Sequence, residues 1–122
     1  MKVLFILFLT FNLFKMNHNH TRIKSGRVEL IKEDGSLVRT IYSNNTPAVD
    51  ADMSVDGRLV VITLENGSVD LRKENGSDIR TIFMSGANKA KRARFDGENV
   101  IITFASGKSQ LTKQNGSVIK IF

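Results

Sequence analysis

Three stretches of the chain are variants of one phrase: VELIKEDGSLVRTIY from Val28 to Tyr42, VDLRKENGSDIRTIF from Val69 to Phe83, and SQLTKQNGSVIKIF from Ser109 to Phe122. Gly26, Gly67 and Gly107 recur at steps of 41 and 40 residues, as do Gly35, Gly76 and Gly116, and Leu30, Leu71 and Leu111. The basic positions Arg39, Arg80 and Lys120 keep the same steps, and Asp56-Gly57 returns 40 residues later as Asp96-Gly97. A period of this size means an array of supersecondary units that bury apolar surface against one another.

The units are hairpins and not helical pairs. Runs of about five to seven residues rich in Val, Ile, Thr and Phe are separated by Asp34-Gly35, Asn75-Gly76 and Asn115-Gly116, which is hairpin chemistry. Four strands are expected in the middle unit: Val49 to Ser54, Leu59 to Glu65, Ser68 to Glu74 and Asp78 to Phe83. The last unit repeats them at Lys91 to Phe95, Asn99 to Ala105, Lys108 to Gln114 and Val118 to Phe122. LVVITL (Leu59 to Leu64) and VIITF (Val100 to Phe104) are apolar on both faces, whereas the strands after them alternate. A strand covered on both sides belongs to a sheet wedged between two others. Gly67 and Gly107, directly after these runs, supply the positive φ of a tight turn.

On these residues, with DGRLVVITLENGSVDLRKENGSDIRTI as the clearest stretch, the units resemble divergent WD-repeat-like β-propeller blades. The resemblance covers Ala48 to Phe122 and, as the outer half of an earlier blade, Arg27 to Tyr42; the Gly-His and Trp-Asp dipeptides of true WD repeats are absent. It implies an all-β fold of four-stranded antiparallel blades, and a scaffold that binds partners rather than an enzyme.

The chain then divides into an N-terminal segment (1–25), the outer hairpin of a first blade (26–42), a second blade (43–83) and a third (84–122). Propellers close with ~4 to 8 blades. Two and a half cannot form a ring alone, so the expectation is a homo-oligomer that completes the ring, the alternative being another chain that supplies the missing blades. LFLTFNLF, within the first segment, suits an inner strand of the first blade, whereas HNHTRIK is a poor match to LVVITLE and its HNH (His18 to His20) reads as a solvated linker; if the segment does supply the inner strands the chain is three blades and a dimer gives six, and if not, oligomers complete the split blade between chains. MKVLFILFLTFNLF (Met1 to Phe14) also has the length of a signal-peptide core and is shorter than the ~20 residues of a spanning helix, so no stable membrane span is expected. Read as a signal it places the protein outside the cell or in an envelope; read as a strand, or as residues before a true start at Met16, it leaves the cytoplasm or a virion.

Composition narrows the chemistry. There is no Cys, hence no disulfide, thiolate metal site or thiol nucleophile, and no Trp to stack on sugars or bases. The net charge of +6 favours acidic partners, polyanions among them. The strongest cluster is KAKRAR, with Lys89, Lys91, Arg92 and Arg94 as candidate polyanion ligands. Strict strand alternation sets Arg92 and Arg94 on one face and Lys89 and Lys91 on the other. The matching strand of the middle unit carries Asp50 and Asp52, so Arg-Asp pairing between neighbouring blades is the plainer reading. DMSVDG (Asp52 to Gly57) approximates a calcium loop but lacks the late carboxylate, and reads as a strand ending in an Asp-Gly turn. His18 and His20 alone do not make a metal site, and neither metal nor cofactor is expected. The sequons at Asn66, Asn75 and Asn115 have sufficient reason as turns.

The function expected is therefore a non-catalytic structural or interaction module, blades that assemble into a ring and bind another macromolecule, as in a virion or envelope assembly. The alternative is a carbohydrate-binding lectin of the oligomeric-propeller kind. A hydrolase would need Asp50, Asp52, Asp56 or Asp96 to converge.

Overall fold

The computed structural model describes residues 19–122, so Met1 to Phe14 and His18 lie outside the described residues. Three antiparallel sheets follow one another along the chain. The first holds β1 (His20–Lys24), β2 (Arg27–Ile31) and β3 (Leu37–Tyr42) in that order. The second holds β4 (Ala48–Met53), β5 (Leu59–Leu64), β6 (Val69–Lys73) and β7 (Asp78–Phe83). The third repeats it with β8 (Ala90–Asp96), β9 (Asn99–Phe104), β10 (Ser109–Thr112) and β11 (Val118–Ile121). Among the described residues no helix is long and apolar enough to cross a membrane.

The hairpin turns are made by the residues that mark the repeat. Asp34, Asn75 and Asn115 each accept a hydrogen bond on the side-chain oxygen from the backbone N–H of the serine two residues on, at 2.9 Å in all three. These Asx turns place the intervening glycine at a φ of 88° to 93°, a conformation costly for any other residue.

Two separate cores lie between the sheets. The first joins Val28, Leu30, Ile41 and Tyr42 of the first sheet to Val60, Ile62 and Leu64 of β5. The second joins Val61, Val69, Leu71 and Ile82 of the second sheet to Val100, Ile102 and Phe104 of β9. β5 therefore sends alternate side chains in opposite directions, which is why its sequence is apolar apart from Thr63. Burying Ile62 or Ile102 completely contributes about 1.5–3 kcal/mol each, so neighbour contacts carry much of the stability.

Each sheet thus has a rear face, toward the sheet before it in the chain, and a forward face, toward the one after it. Main-chain contacts latch the pairs together. The carbonyl of Gly26 accepts the N–H of Ala48, and that of Gly67 accepts the N–H of Ala90, each at 2.9 Å.

Two expectations need correction. The segment containing His20 is not a linker: His20 to Lys24 pair with Arg27 to Ile31 and give the first sheet a third strand. Only its Thr21 and Ile23 lie opposite Leu30 and Val28 on the forward face, so only that face needed apolar character. Its other face carries His20, Arg22 and Lys24, with Arg22 bonded to Glu29 at 2.8 Å, and that made the sequence look unlike LVVITLE. The second correction concerns the inner strands, where bulges break the strict alternation: pairing passes from Ala48 to Asp50 and from Ala90 to Arg92, leaving Val49 and Lys91 as the extra residues. Lys91 shares no strand face with Lys89, which precedes β8 and packs its backbone on Gly67.

Candidate functional site

Three surfaces have the chemistry for recognition: the inner strands β4 and β8, the clefts between sheets, and the forward face of the third sheet.

On the inner strands the bulges fix the register. Asp50 and Arg92 both follow a bulge, opposite Thr63 and Thr103, so Asp52 and Arg94 are equivalent positions one repeat apart. Arg94 crosses to the neighbouring sheet and grips Asp50 through both terminal nitrogens, the longer bond being 3.2 Å. The Asp50 hydrogen bond raises the affinity of the Arg94 guanidinium for its proton, so the cation is permanent. Asp52 accepts the backbone N–H of Phe95 at 2.8 Å. Of the four sequence-predicted basic residues, Arg94 is therefore spent on an inter-sheet pair, while Lys89, Lys91 and Arg92 are exposed. Arg92 makes no hydrogen bond or ion pair among the described residues.

DMSVDG is a turn. Asp56 accepts hydrogen bonds from the Ser54 hydroxyl at 2.7 Å and the Arg58 N–H at 3.1 Å, and the Ser54 bond first of all holds its carboxyl below the usual range. With Asp52 turned to Phe95, the two carboxylates face different partners. Among the described residues no group of three or more His, Cys, Asp or Glu is placed to hold a metal ion.

The clefts lie between neighbouring sheets at the end where β4 turns into β5. One, of about 290 Å³, sets Leu30, Val38 and Met53 beside Arg39, Arg58 and Glu74, with Arg39 bonded to Glu74 at 3.3 Å. The next, of about 370 Å³, sets Val55, Leu59 and Phe95 beside Asp56, Glu98 and Gln114. Val55, at the tip of its turn, is 96% exposed.

Sequence reasoning missed the third surface. Ile101 stands opposite Leu111 on the third sheet's forward face, as Val61 stands opposite Leu71 on the second. Val61 and Leu71 are buried under the following sheet; Ile101 and Leu111 are only partly covered, and Ile119 and Phe122 are 45% and 57% exposed. The signal that finds this face is the repeat itself, once each residue is assigned to the rear or forward side.

No family model matches the chain, and no curated protein matches it. Solved structures do. A protein of unknown function from Bacteroides caccae superposes with a TM-score of 0.66 at 12% identity, over 84% of this chain and 40% of that one. BamB from Moraxella catarrhalis, a β-propeller protein, superposes with a TM-score of 0.65 at 17% identity, over 84% of this chain and 32% of that one. The three sheets are β-propeller blades. The chain spans less than half the length of either neighbour, and identities this low speak for the fold alone.

Proposed function

We propose that the chain is a non-catalytic interaction module: a run of WD-like propeller blades that takes its place in a closed ring and offers the ring's inner face to another macromolecule. The observation that carries this reading is the forward face of the third blade, which repeats the surface that seats the third blade on the second and has no blade upon it among the described residues. The use made of the carboxylates supports the non-catalytic part. Asp50 holds Arg94, Asp52 holds the Phe95 N–H, and Asp56 closes its own turn, which leaves them apart and engaged in structure. Lys89, Lys91 and Arg92 favour an acidic partner at the inner face, a polyanion or an acidic protein surface.

The test measures solution mass by light scattering and binding of an apolar dye as concentration rises, with salt-dependent retention on heparin measured beside it. A ring closed by copies of this chain gives discrete masses and a fall in dye signal, and a ring closed by blades of another origin leaves the chain monomeric with the dye bound; the inner-face reading gives retention that drops for Lys91→Ala and Arg92→Ala while Arg94→Ala matters less. A strictly monomeric chain that binds neither dye nor heparin would refute both. A lectin is the second reading, favoured by the cleft in which Phe95 and Leu59 lie beside Asp56, Glu98 and Gln114. Glycan-array binding abolished by Phe95→Ala would select it.

A further inference from the structure

The blade that belongs on the third blade's forward face has a definable chemistry, because the two junctions already made share one set of contacts. At each, the glycine after the strand next to the inner strand lies against the start of the next blade's inner strand: a Cβ on Gly26 would come within 2.8 Å of Pro47, and one on Gly67 within 2.6 Å of Lys89. Gly107 has the same turn and a φ of 91°, yet nothing lies within 4 Å of its Cβ position. At each junction, too, the glycine of the following blade's outer turn rests on the preceding blade's last strand, Gly76 on the carbonyl of Ile41 and Gly116 on that of Ile82, both at 3.3 Å from the Cβ position. Phe122 stands one repeat after Ile82, and no such turn rests on it among the described residues. The third blade therefore carries the forward half of a junction whose rear half is not among the described residues.

Two properties of the rear half follow. First, its second strand must present apolar side chains, as Val60, Ile62 and Leu64 do to the first blade and Val100, Ile102 and Phe104 do to the second. Second, its inner strand must carry a carboxylate. Asp50 of one blade reaches Arg94 of the next; Arg92 is the third blade's equivalent of Asp50, with the charge reversed and no side-chain partner among the described residues. The acid that answers it belongs where the second blade has Asp52 and the third has Arg94.

The first blade of a second copy does not meet the first of these terms on its described residues. On its rear face His20, Arg22 and Lys24 stand where the second blade presents Val60, Ile62 and Leu64, beside the buried Glu29 and Ile31, and Arg22 and Arg27 already share Glu29. Seating Ile101, Leu111 and Phe122 on that face would strip water from Lys24 without pairing it and from the half-exposed Arg22 and Arg27, whose one shared carboxylate cannot satisfy both.

Resting on the reading of the chain as part of a ring, we propose that its forward face takes a further propeller blade with an aliphatic second strand and an acidic inner strand, the chemistry of this chain's own second blade, and not the first blade of another copy.

The test extends the full chain after Phe122 with a copy of residues 43–83, which has both properties, and compares it with a chain extended by residues 19–42. The copy of 43–83 should raise the denaturant midpoint and give methyl contacts by NMR between Leu111 and the appended Ile62; the copy of 19–42 should do neither. Arg92→Asp should lower the midpoint of the extended chain and leave the parent unchanged, and Asp52→Arg in the appended copy should restore it. If the unextended chain forms a discrete oligomer in which Leu111 touches Thr21 or Arg22 of another copy, the proposal is overturned while the ring reading survives. If neither extension nor a second copy covers Leu111, both fall.

Discussion

Gly67→Ala and Gly107→Ala differ only in what stands beside them, and that makes the pair a measure of blade-on-blade contact. Both glycines lie just after a second strand, at φ values of 89° and 91°. Holding alanine in that left-handed region costs roughly 1–2 kcal/mol, partly offset by about 0.4–1 kcal/mol from the stiffer unfolded chain. For Gly107 the account ends there, since nothing lies within 4 Å of its Cβ position. At Gly67 the new methyl would sit 2.6 Å from the Lys89 Cβ and 2.8 Å from its Cα. Carbon atoms rest about 3.5–4.0 Å apart, so Lys89 must retreat by roughly 1 Å. That residue leads into β8, and Ala90 beside it donates to the Gly67 carbonyl, so the retreat strains the junction. Overpacking against backbone costs about 1–3 kcal/mol. The expected losses are roughly 0.5–1.5 kcal/mol for Gly107→Ala and about 2–4 kcal/mol for Gly67→Ala. Urea unfolding of dilute protein, followed by circular dichroism, measures both. Equal losses, within about 0.5 kcal/mol, would mean that turn strain alone is being read and would refute the assignment of Gly67 to a close contact.

Ile62→Ala and Ile102→Ala, one in each inter-blade core, should each cost about 2–5 kcal/mol by chemical denaturation, and a loss under about 1 kcal/mol at either would mean that its core is not formed. Arg94→Ala should cost no more than about 1 kcal/mol, because the Arg94 side chain is 44% exposed to screening solvent. Tyr42→Phe removes the 2.6 Å hydrogen bond from the Tyr42 hydroxyl to the Thr46 carbonyl, an expected loss of about 1 kcal/mol; burial also raises the Tyr42 phenol above its usual range, so ultraviolet titration should place its midpoint above the ordinary tyrosine pH. The Asp56 carboxyl, held down by Ser54, should titrate by NMR below the usual aspartate range and rise in Ser54→Ala. Since its folded value is depressed, the stability it contributes is present above the unfolded value and lost as pH falls through the folded one; an unmoved titration in Ser54→Ala would refute the Ser54 contact.

The blades were legible because strand and turn are local. Asn75-Gly76-Ser77 writes a hairpin wherever it falls, and the strand Asp78 to Phe83 appears as read. His20 to Lys24 was not legible as a strand, because its residues satisfy only one apolar face and the other is resolved by the Arg22–Glu29 pair, a contact between strands. The bulges at Val49 and Lys91 were hidden for a related reason. A bulge adds one residue without changing composition, and only pairing with β5 and β9 shows which residue is extra. That one residue takes Lys91 out of the alternation and sets Arg92 and Arg94 opposite Thr103 and Ile101; Arg94 reaches Asp50, and Arg92 has no side-chain partner among the described residues.

The forward face shows where local reading stops. Leu71 and Leu111 occupy the same place in the same phrase, and by composition alone both are core. Leu71 is 1% exposed because the third blade lies on it, whereas Leu111 has no blade above it among the described residues. Burial in a repeat array belongs to the junction and not to the residue. The informative comparison is then between equivalent positions along the chain: a leucine, a turn glycine and an inner-strand charge that are each satisfied at one repeat and unsatisfied at the next. Leu111, Gly107 and Arg92 fail at the same edge, and three unrelated contacts left open together describe one absent neighbour more economically than three separate surface accidents.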